Sequence, residues 1–340
     1  MSKLRLIIVG FGVVGQSFAK LILSRAADLY NTYGVNPRVV ACVDKKGAVV
    51  CPSGIDLQKL LDIKKIKGTV VDYRSEGSKS LEYDIIEQTD SDILLELTST
   101  NLQNGEPGIS NIISAMRSGK HVITANKGPL ALAFPSLLEL ANYNDVMLRF
   151  SGTVGGGTPI LEFAKRCLKG DRILSFKGIL NGTTNYILTR MEEGLSFEYA
   201  LRDAKEKGIA EANPELDIDG YDAAAKVSII ANWVMGMKKT IHDVESTGIS
   251  GVTLERIGEA RKRNNSLKLV GMTENRKLIV GPVEVSKLDP ICVNGTLNAV
   301  TFSSEHSGQQ TIIGRGAGGM ETASAVLRDL IEIKNYVYEK

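Results

Sequence analysis

Over the first 150 positions, short continuous apolar runs alternate with stretches of helical period, and this pattern predicts strands and helices in turn. Residues 4–9, Leu-Arg-Leu-Ile-Ile-Val, are almost wholly apolar, as expected of a strand buried on both faces. A helical pattern follows over 14–29, then a loop over 31–37 and a second strand over 38–43 that ends at Asp44. Further strands are expected at 92–97, 121–124 and 146–150. Helices are expected at 135–142 and at 109–118, where Ile109, Ile112, Ile113 and Met116 share a face. Strand and helix in alternation predict a parallel, doubly wound α/β sheet.

The pattern changes after Phe150. Helices are predicted at 159–168, 184–193 and 197–208, and a long one at 222–235 that is apolar almost all round. From Leu267 onward the chain turns strand-like, with runs at 278–285, 299–303 and 310–313. Their short connections predict an antiparallel sheet. A glycine-rich run at 314–319 leads into a last helix at 322–333. A length of 340 residues, at about 150 per domain, suggests two domains. With no repeat or obvious linker, the chain is expected to cross closely between them.

Charge and composition narrow the function classes. Lys and Arg number 41 against 39 acidic residues, a net charge of +2, which argues against an extended nucleic-acid surface. No apolar run reaches the roughly 18 residues of a membrane span. The first residues lead straight into a strand, so no leader peptide is expected. Cys42, Cys51, Cys167 and Cys292 are scattered without C-x-x-C spacing, which disfavours a disulfide framework or zinc site and fits a reducing cytoplasm. Cys51 reads as the most exposed of the four. The excess is in glycine, 34 residues, and where these fall carries the chemistry.

Gly10, Gly12 and Gly15, with Phe11, Val13 and Val14 between them, form G-x-G-x-x-G between a predicted strand and helix. The first glycine permits the tight turn, and the second lets backbone approach a pyrophosphate. The third allows close helix–strand packing, while the helix N-terminus offers N–H groups to the anion. Asp44, at the end of the second strand, either holds the adenosine ribose hydroxyls or caps a turn. Lys45 and Lys46 follow at once and suit a 2′-phosphate, so NAD and NADP both stay open. Farther on, Glu211, Asp217, Asp219 and Asp222 gather at the mouth of the apolar helix, and Lys226 lies one turn beyond Asp222. That i, i+4 pair is either a surface ion pair or a lysine facing a closed cleft, partly desolvated for proton transfer.

Several motifs together resemble homoserine dehydrogenases over essentially the whole chain. They are Glu96-Leu97-Thr98-Ser99-Thr100-Asn101, the run H-V-I-T-A-N-K-G-P at 121–129, Asn181-Gly182-Thr183-Thr184-Asn185-Tyr186, the acid-rich segment at 210–226, Val154-Gly155-Gly156-Gly157-Thr158-Pro159 and Gly316-Ala317-Gly318. The resemblance implies nicotinamide-dependent interconversion of L-homoserine and L-aspartate 4-semialdehyde, on the route from aspartate to threonine and methionine. By the same resemblance Lys226 matches the proton-transfer lysine and Lys127 a second active-site lysine near the nicotinamide. Glu211, Asp217 and Asp222 match substrate-binding acids, with Asp219 at the margin. Thr98, Ser99, Gly208, Gly316 and Gly318 match cofactor contacts.

The implied fold is a Rossmann-type nucleotide domain, 1–150 plus 315–340, with a mixed α+β catalytic and dimerisation domain, 151–314, inserted. A homodimer is implied, which suits antiparallel strands whose edges need protection. A sodium or potassium ion is implied on main-chain oxygens at Val154, Gly156 and Thr158, although a glycine run there also reads as a plain hinge. Three positions depart from the family pattern. Ser151 stands where many relatives carry an acid, which weakens any ion site, while Asn213 and Ser99 replace a common aspartate and proline. A short form is expected, since the chain leaves no room for an aspartate-kinase segment or a C-terminal regulatory domain.

Two other classes compete. A phosphorylating semialdehyde dehydrogenase needs a cysteine nucleophile, and none of the four cysteines sits in a convincing place. A dinucleotide-sensing regulator needs the fold but no paired lysines. Neither accounts for the 210–226 segment.

Overall fold

The computed structural model describes residues 4–73, 82–211 and 213–339. The chain start read for a leader, residues 1–3, and position 212 of the acid-rich segment lie outside them. The chain divides into two compact units, Met1–Thr153 with Gly318–Lys340 and Val154–Ala317. The junctions fall slightly beyond the 150/151 and 314/315 boundaries expected from sequence.

The first unit opens with β1 (Leu4–Val9), α1 (Val13–Ser24), α2 (Ala26–Tyr33), β2 (Pro37–Asp44) and β3 (Gly47–Val50). It continues through α3 (Leu57–Lys67), α4 (Glu82–Gln88), β4 (Ile93–Glu96), α5 (Gly108–Arg117), β5 (His121–Thr124), α6 (Lys127–Tyr143) and β6 (Leu148–Arg149), and closes with the last helix of the chain, α13 (Gly319–Glu339). The sheet runs β3-β2-β1-β4-β5-β6. All neighbours are parallel except the β2–β3 hairpin at the edge. Alternate side chains of the central strands explain the two helical layers. Leu6, Ile8, Ile93, Leu95 and Ile123 share a core with Phe18 and Ile22 of α1 and Leu327 and Leu330 of α13. The helix α5 packs on β4 and β5, with α4 and α6 beside it. Val9 pairs with both Val43 and Glu96, so β1, β2 and β4 end at one level. Strand order reverses about β1, the place where such sheets bind ligands.

Three local features depart from the sequence pattern. The helix expected over 14–29 breaks at Arg25 (φ −112°) and resumes as α2, which takes in the first three residues of the expected loop and is capped by Gly34 with φ 62°. Thr32 keeps its hydroxyl bonded to Asp28 Oδ1 (3.0 Å), so polar residues that suggest a loop are satisfied along a helix face. The helix α6 begins at Lys127 rather than at 135, because Asn126 caps it (Gly128 N to Asn126 Oδ1, 3.0 Å). Pro135 then lies inside the helix, and the kink it forces shows at Ala133, with φ −140°.

The second unit begins with a single turn, α7 (Ile160–Glu162), running into a π-helix at Phe163–Cys167. Next come β7 (Ile173–Ile179), α8 (Gly182–Glu192), α9 (Phe197–Glu206), α10 (Glu215–Ile218), α11 (Tyr221–Met235), β8 (Val244–Ser246) and α12 (Leu254–Lys262). The last four strands are β9 (Asn265–Glu274), β10 (Lys277–Ser286), β11 (Leu297–Ser304) and β12 (Gly308–Arg315). The sheet order is β12-β11-β7-β9-β10-β8, antiparallel except for β8 against β10. The helix α11 lies across β9 and β10. It can do so because position 271 is glycine: a Cβ there would stand 2.4 Å from Val227 Cγ2. Cys51 proves buried, and Cys167 is the exposed cysteine.

Candidate active site

In the first unit Gly10, Phe11, Gly12, Asp44, Thr98 and Ser99 come together around a cavity of about 580 Å³ at the carboxyl ends of β1, β2 and β4. Gly10 takes φ 99°, and a Cβ there would meet the Leu97 carbonyl at 2.4 Å. A Cβ at Gly15 would stand 2.5 Å from Gly10 O, whereas one at Gly12 would meet nothing within 4 Å. Turn, packing and open approach are thus divided among the three glycines as a dinucleotide cradle requires. Val13 and Val14 begin α1, whose first N–H groups carry the positive end of the helix dipole. The residues present fit an NAD(P) pyrophosphate.

Asp44 is nearly buried and fully engaged. Its Oδ2 accepts from Lys64 Nζ (2.6 Å) and Val70 N (2.9 Å), and its Oδ1 from Lys46 N (2.9 Å). Burial pushes the carboxyl up, but the Lys64 ammonium and the two backbone donors outweigh it and hold the group below its ordinary value. Lys45, Lys46 and Lys64 line the same end of the cavity.

Beneath Thr98 lies Glu96, with no exposed surface. It accepts from Thr98 N (3.0 Å), the Thr98 hydroxyl, Asn111 Nδ2 (2.8 Å) and Asn126 Nδ2 (3.4 Å). Burial nonetheless pushes its carboxyl up. Asn126 also donates to Thr98 Oγ1 (3.1 Å), so one network ties the floor of the cavity to the first turn of α6, which carries the half-buried Lys127.

The second unit holds the acid–lysine cluster. Asn181 caps α8, its Oδ1 accepting from Thr184 N (2.8 Å), and its Nδ2 donates to Asp217 Oδ1 (2.6 Å) and Asp222 Oδ2 (2.8 Å). Lys226 Nζ donates to Asp222 Oδ2 and to the Leu180 carbonyl, each at 2.6 Å. The side chains of Lys226 and Asp222 are only 8% and 14% exposed, so this is not a surface ion pair. Burial, reinforced by the neighbouring Asp222 charge, pushes the Asp217 carboxyl up.

The remaining expected residues stand at varying distance from these two constellations. Glu211 and Asp219 are exposed, and among the described residues no side-chain hydrogen bond joins either to the cluster. Gly208 occupies a left-handed turn after α9 (φ 68°) with open space where a Cβ would go. A Cβ at Gly316 would collide with the Asn298 amide at 2.0 Å, and one at Gly318 with the Glu321 carboxylate at 2.1 Å. Gly316 therefore has a packing reason, and Gly318 a conformational one, its φ of 138°.

In the Val154–Thr158 segment, Gly155 and Gly156 take φ 82° and 53°, and Thr158 N closes the turn onto Gly155 O (2.8 Å). The Thr158 hydroxyl donates to Arg315 O (3.0 Å). Among the described residues the Val154 and Gly156 carbonyls accept no backbone hydrogen bond. Ser151, in the first unit, gives its N–H (2.9 Å) and hydroxyl (2.5 Å) to Asp329.

Sequence reasoning had passed over Glu96, Asn126 and Asn181 as site residues. Asn181 carried a usable signal, an N-cap asparagine opening a helix opposite an acid cluster.

A family model for homoserine dehydrogenase matches residues 159–331, and one for glutamate/leucine/phenylalanine/valine dehydrogenase matches residues 1–98. The chain is 46% identical over 331 residues to the homoserine dehydrogenase of Methanocaldococcus jannaschii, covering 97% of this chain and 98% of the relative. It is 38% identical over 340 residues to the NAD(+)-dependent homoserine dehydrogenase of Pseudomonas canavaninivorans, covering 98% and 97%. A hyperthermophilic archaeal homoserine dehydrogenase in complex with NADPH superposes with a TM-score of 0.87 at 29% identity, covering 98% of each chain.

Proposed function

Because the chain belongs to the homoserine dehydrogenase family of NAD(P)-dependent oxidoreductases, we propose that it interconverts L-homoserine and L-aspartate 4-semialdehyde with Lys226 as the proton-transfer group. The observation that carries this reading is the buried Lys226 ammonium, docked on Asp222 and the Leu180 carbonyl beside the Asn181-held Asp217. A nicotinamide, when bound, takes or gives the hydride at the hydroxyl-bearing carbon. During oxidation the Lys226 side chain, acting as the neutral amine, takes the hydroxyl proton and becomes the ammonium; during reduction the ammonium gives that proton to the carbonyl oxygen. Asp217, Asp222 and Glu211 supply negative charge for the substrate's ammonium group. Lys127 serves as the second active-site lysine. The cofactor's pyrophosphate rests on Gly10–Gly15, with Thr98, Ser99, Gly208, Gly316 and Gly318 as further contacts. Such an enzyme works in the cytoplasm, as a homodimer, on the route to threonine and methionine.

We infer a preference for NADP over NAD. Asp44 already accepts from Lys64, Val70 and Lys46, and Lys45 and Lys46, outside that ion pair, line the same end of the cavity, which supports a 2′-phosphate there. Initial rates of homoserine-dependent reduction of NAD and of NADP test both readings. No turnover with either cofactor would leave a dinucleotide sensor, and a higher kcat/KM with NAD would overturn the cofactor assignment. Lys226→Ala should lower kcat by about 10²-fold or more while leaving cofactor affinity intact.

The carbonyls of Val154 and Gly156, with that of Thr158, which also accepts from Ile160 N (2.8 Å), would make a weak seat for sodium or potassium, supporting the turn rather than the chemistry. Ser151 brings no carboxylate, so the ion is expected to be easily lost. A modest rate dependence on potassium at matched ionic strength is expected, and equal rates in alkali-free buffer would dismiss the ion.

A further inference from the structure

We propose that Asn298 is a positioning residue for Lys226, an inference that rests on the proton-transfer role assigned to that lysine. Asn298 lies in β11 and is only 1% exposed. Its Nδ2 donates to the Leu180 carbonyl at 3.0 Å, the same oxygen that takes Lys226 Nζ at 2.6 Å. Leu180 follows the end of β7, just past the pairing of Ile179 with Ala299, and among the described residues no backbone N–H reaches its carbonyl. Two side chains therefore share this oxygen, one neutral and fixed by the sheet, the other the reactive ammonium. With two lone pairs the carbonyl can serve both.

Stability alone does not explain an asparagine here. Among the described residues its Oδ1 is buried with no hydrogen-bond partner, a state that costs free energy and that leucine, with the same number of side-chain heavy atoms, avoids. Nor can the amide turn over, because Oδ1 would then face the Leu180 oxygen. The donor end is thus held on Leu180 at the expense of the acceptor end. The backbone makes room for this placement: Gly316 leaves free the space where its Cβ would overlap the Asn298 amide. With the amide in place the Leu180 carbonyl cannot swing away from the ammonium, and Nζ keeps one direction between Leu180 and Asp222.

The test uses Asn298→Leu and Asn298→Ala in the full-length enzyme, with Lys226→Ala and the Lys226→Ala/Asn298→Leu double variant measured alongside. Asn298→Leu should lower kcat about 10- to 100-fold, the scale of a misplaced catalytic group. Its KM values for homoserine and cofactor should stay within about threefold, and its Tm should not fall, since an orphaned acceptor is removed. If Asn298 acts through Lys226, the double variant should be no slower than Lys226→Ala alone. A kcat near wild type in both Asn298 variants, or losses that multiply in the double variant, would overturn the proposal. So would a fall in Tm with kcat retained, the mark of a merely structural side chain. If Lys226→Ala itself keeps full activity, the proton-transfer reading fails and takes this one with it. Low activity in Lys226→Ala beside normal Asn298 variants would refute the Asn298 role alone.

Discussion

Asp44 lines the cavity and also acts as a lock on the backbone around it. Its carboxylate pins Val70 and Lys46 backbone N–H groups and neutralises Lys64. Replacing it with alanine should cost about 1–3 kcal/mol, because the Lys64 ammonium and two backbone donors lose their acceptor. The sign of the pH dependence follows from linkage. The folded carboxyl sits below the ordinary 3.8, so its contribution is fully present above that pH and fades as pH falls through 3.8 towards the folded value. The stability difference between wild type and Asp44→Ala should therefore be constant near neutrality and shrink in acid. Urea titrations at pH 7 and pH 3 would show this, and an unchanged gap would refute it. The same substitution frees Lys64, so the kcat/KM ratio should move further towards NADP. Much of the site was legible residue by residue, since Gly10, Gly12, Gly15, Asp222 and Lys226 announce themselves by spacing. Glu96 was not, because a lone acid closing an apolar strand carries no pattern, and only the fold reveals the four hydrogen bonds it accepts.

Elements were legible where hydrophobic period and caps agreed. The strand β5 and the helix α11 are of this kind, and both stand within a residue of where the pattern puts them. The pattern does not predict β3, α3, α4, β7, α10, β8 or α12, and two of these show the physical reason. In β7, Ser175 and Lys177 interrupt the apolar run, and the strand is made by its pairing with β9 and β11 rather than by its own residues. In α12 only Ile257 and Ala260 are buried, too few to print a period. The helix α8 joins local and functional roles most closely, because its N-cap Asn181 also holds Asp217 and Asp222. Asn181→Ala should remove a cap of about 1 kcal/mol and lower Tm by a few degrees. It should also raise KM for homoserine more than KM for cofactor, as the two acids lose their common donor. An equal rise in both, or a fall in Tm alone, would mean that Asn181 serves the helix and not the substrate.

For the molecule as a whole, the sheet of the second unit poses the remaining problem. A sheet edge that is long and without charge or proline is a template for further pairing. At one margin β8 is blunted by being three residues long and by carrying Glu245. At the other, β12 runs eight residues, Gly-Gln-Gln-Thr-Ile-Ile-Gly-Arg, with neither proline nor lysine, and Ile313 is 49% exposed. Apart from the terminal Arg315 this edge carries no charge, which predicts a homodimer joined through the second unit with β12 at or near the contact. Light scattering coupled to size exclusion should return the mass of two chains at micromolar concentration. Ile313→Lys places a charge on the exposed edge and should weaken association by about tenfold or more, equivalent to about 1.4 kcal/mol. Because the lysine side chain is solvated in a monomer, the variant's far-ultraviolet spectrum should stay that of the folded protein. A monomeric wild type at micromolar concentration would dismiss the dimer. A dimer untouched by Ile313→Lys would move the interface away from β12.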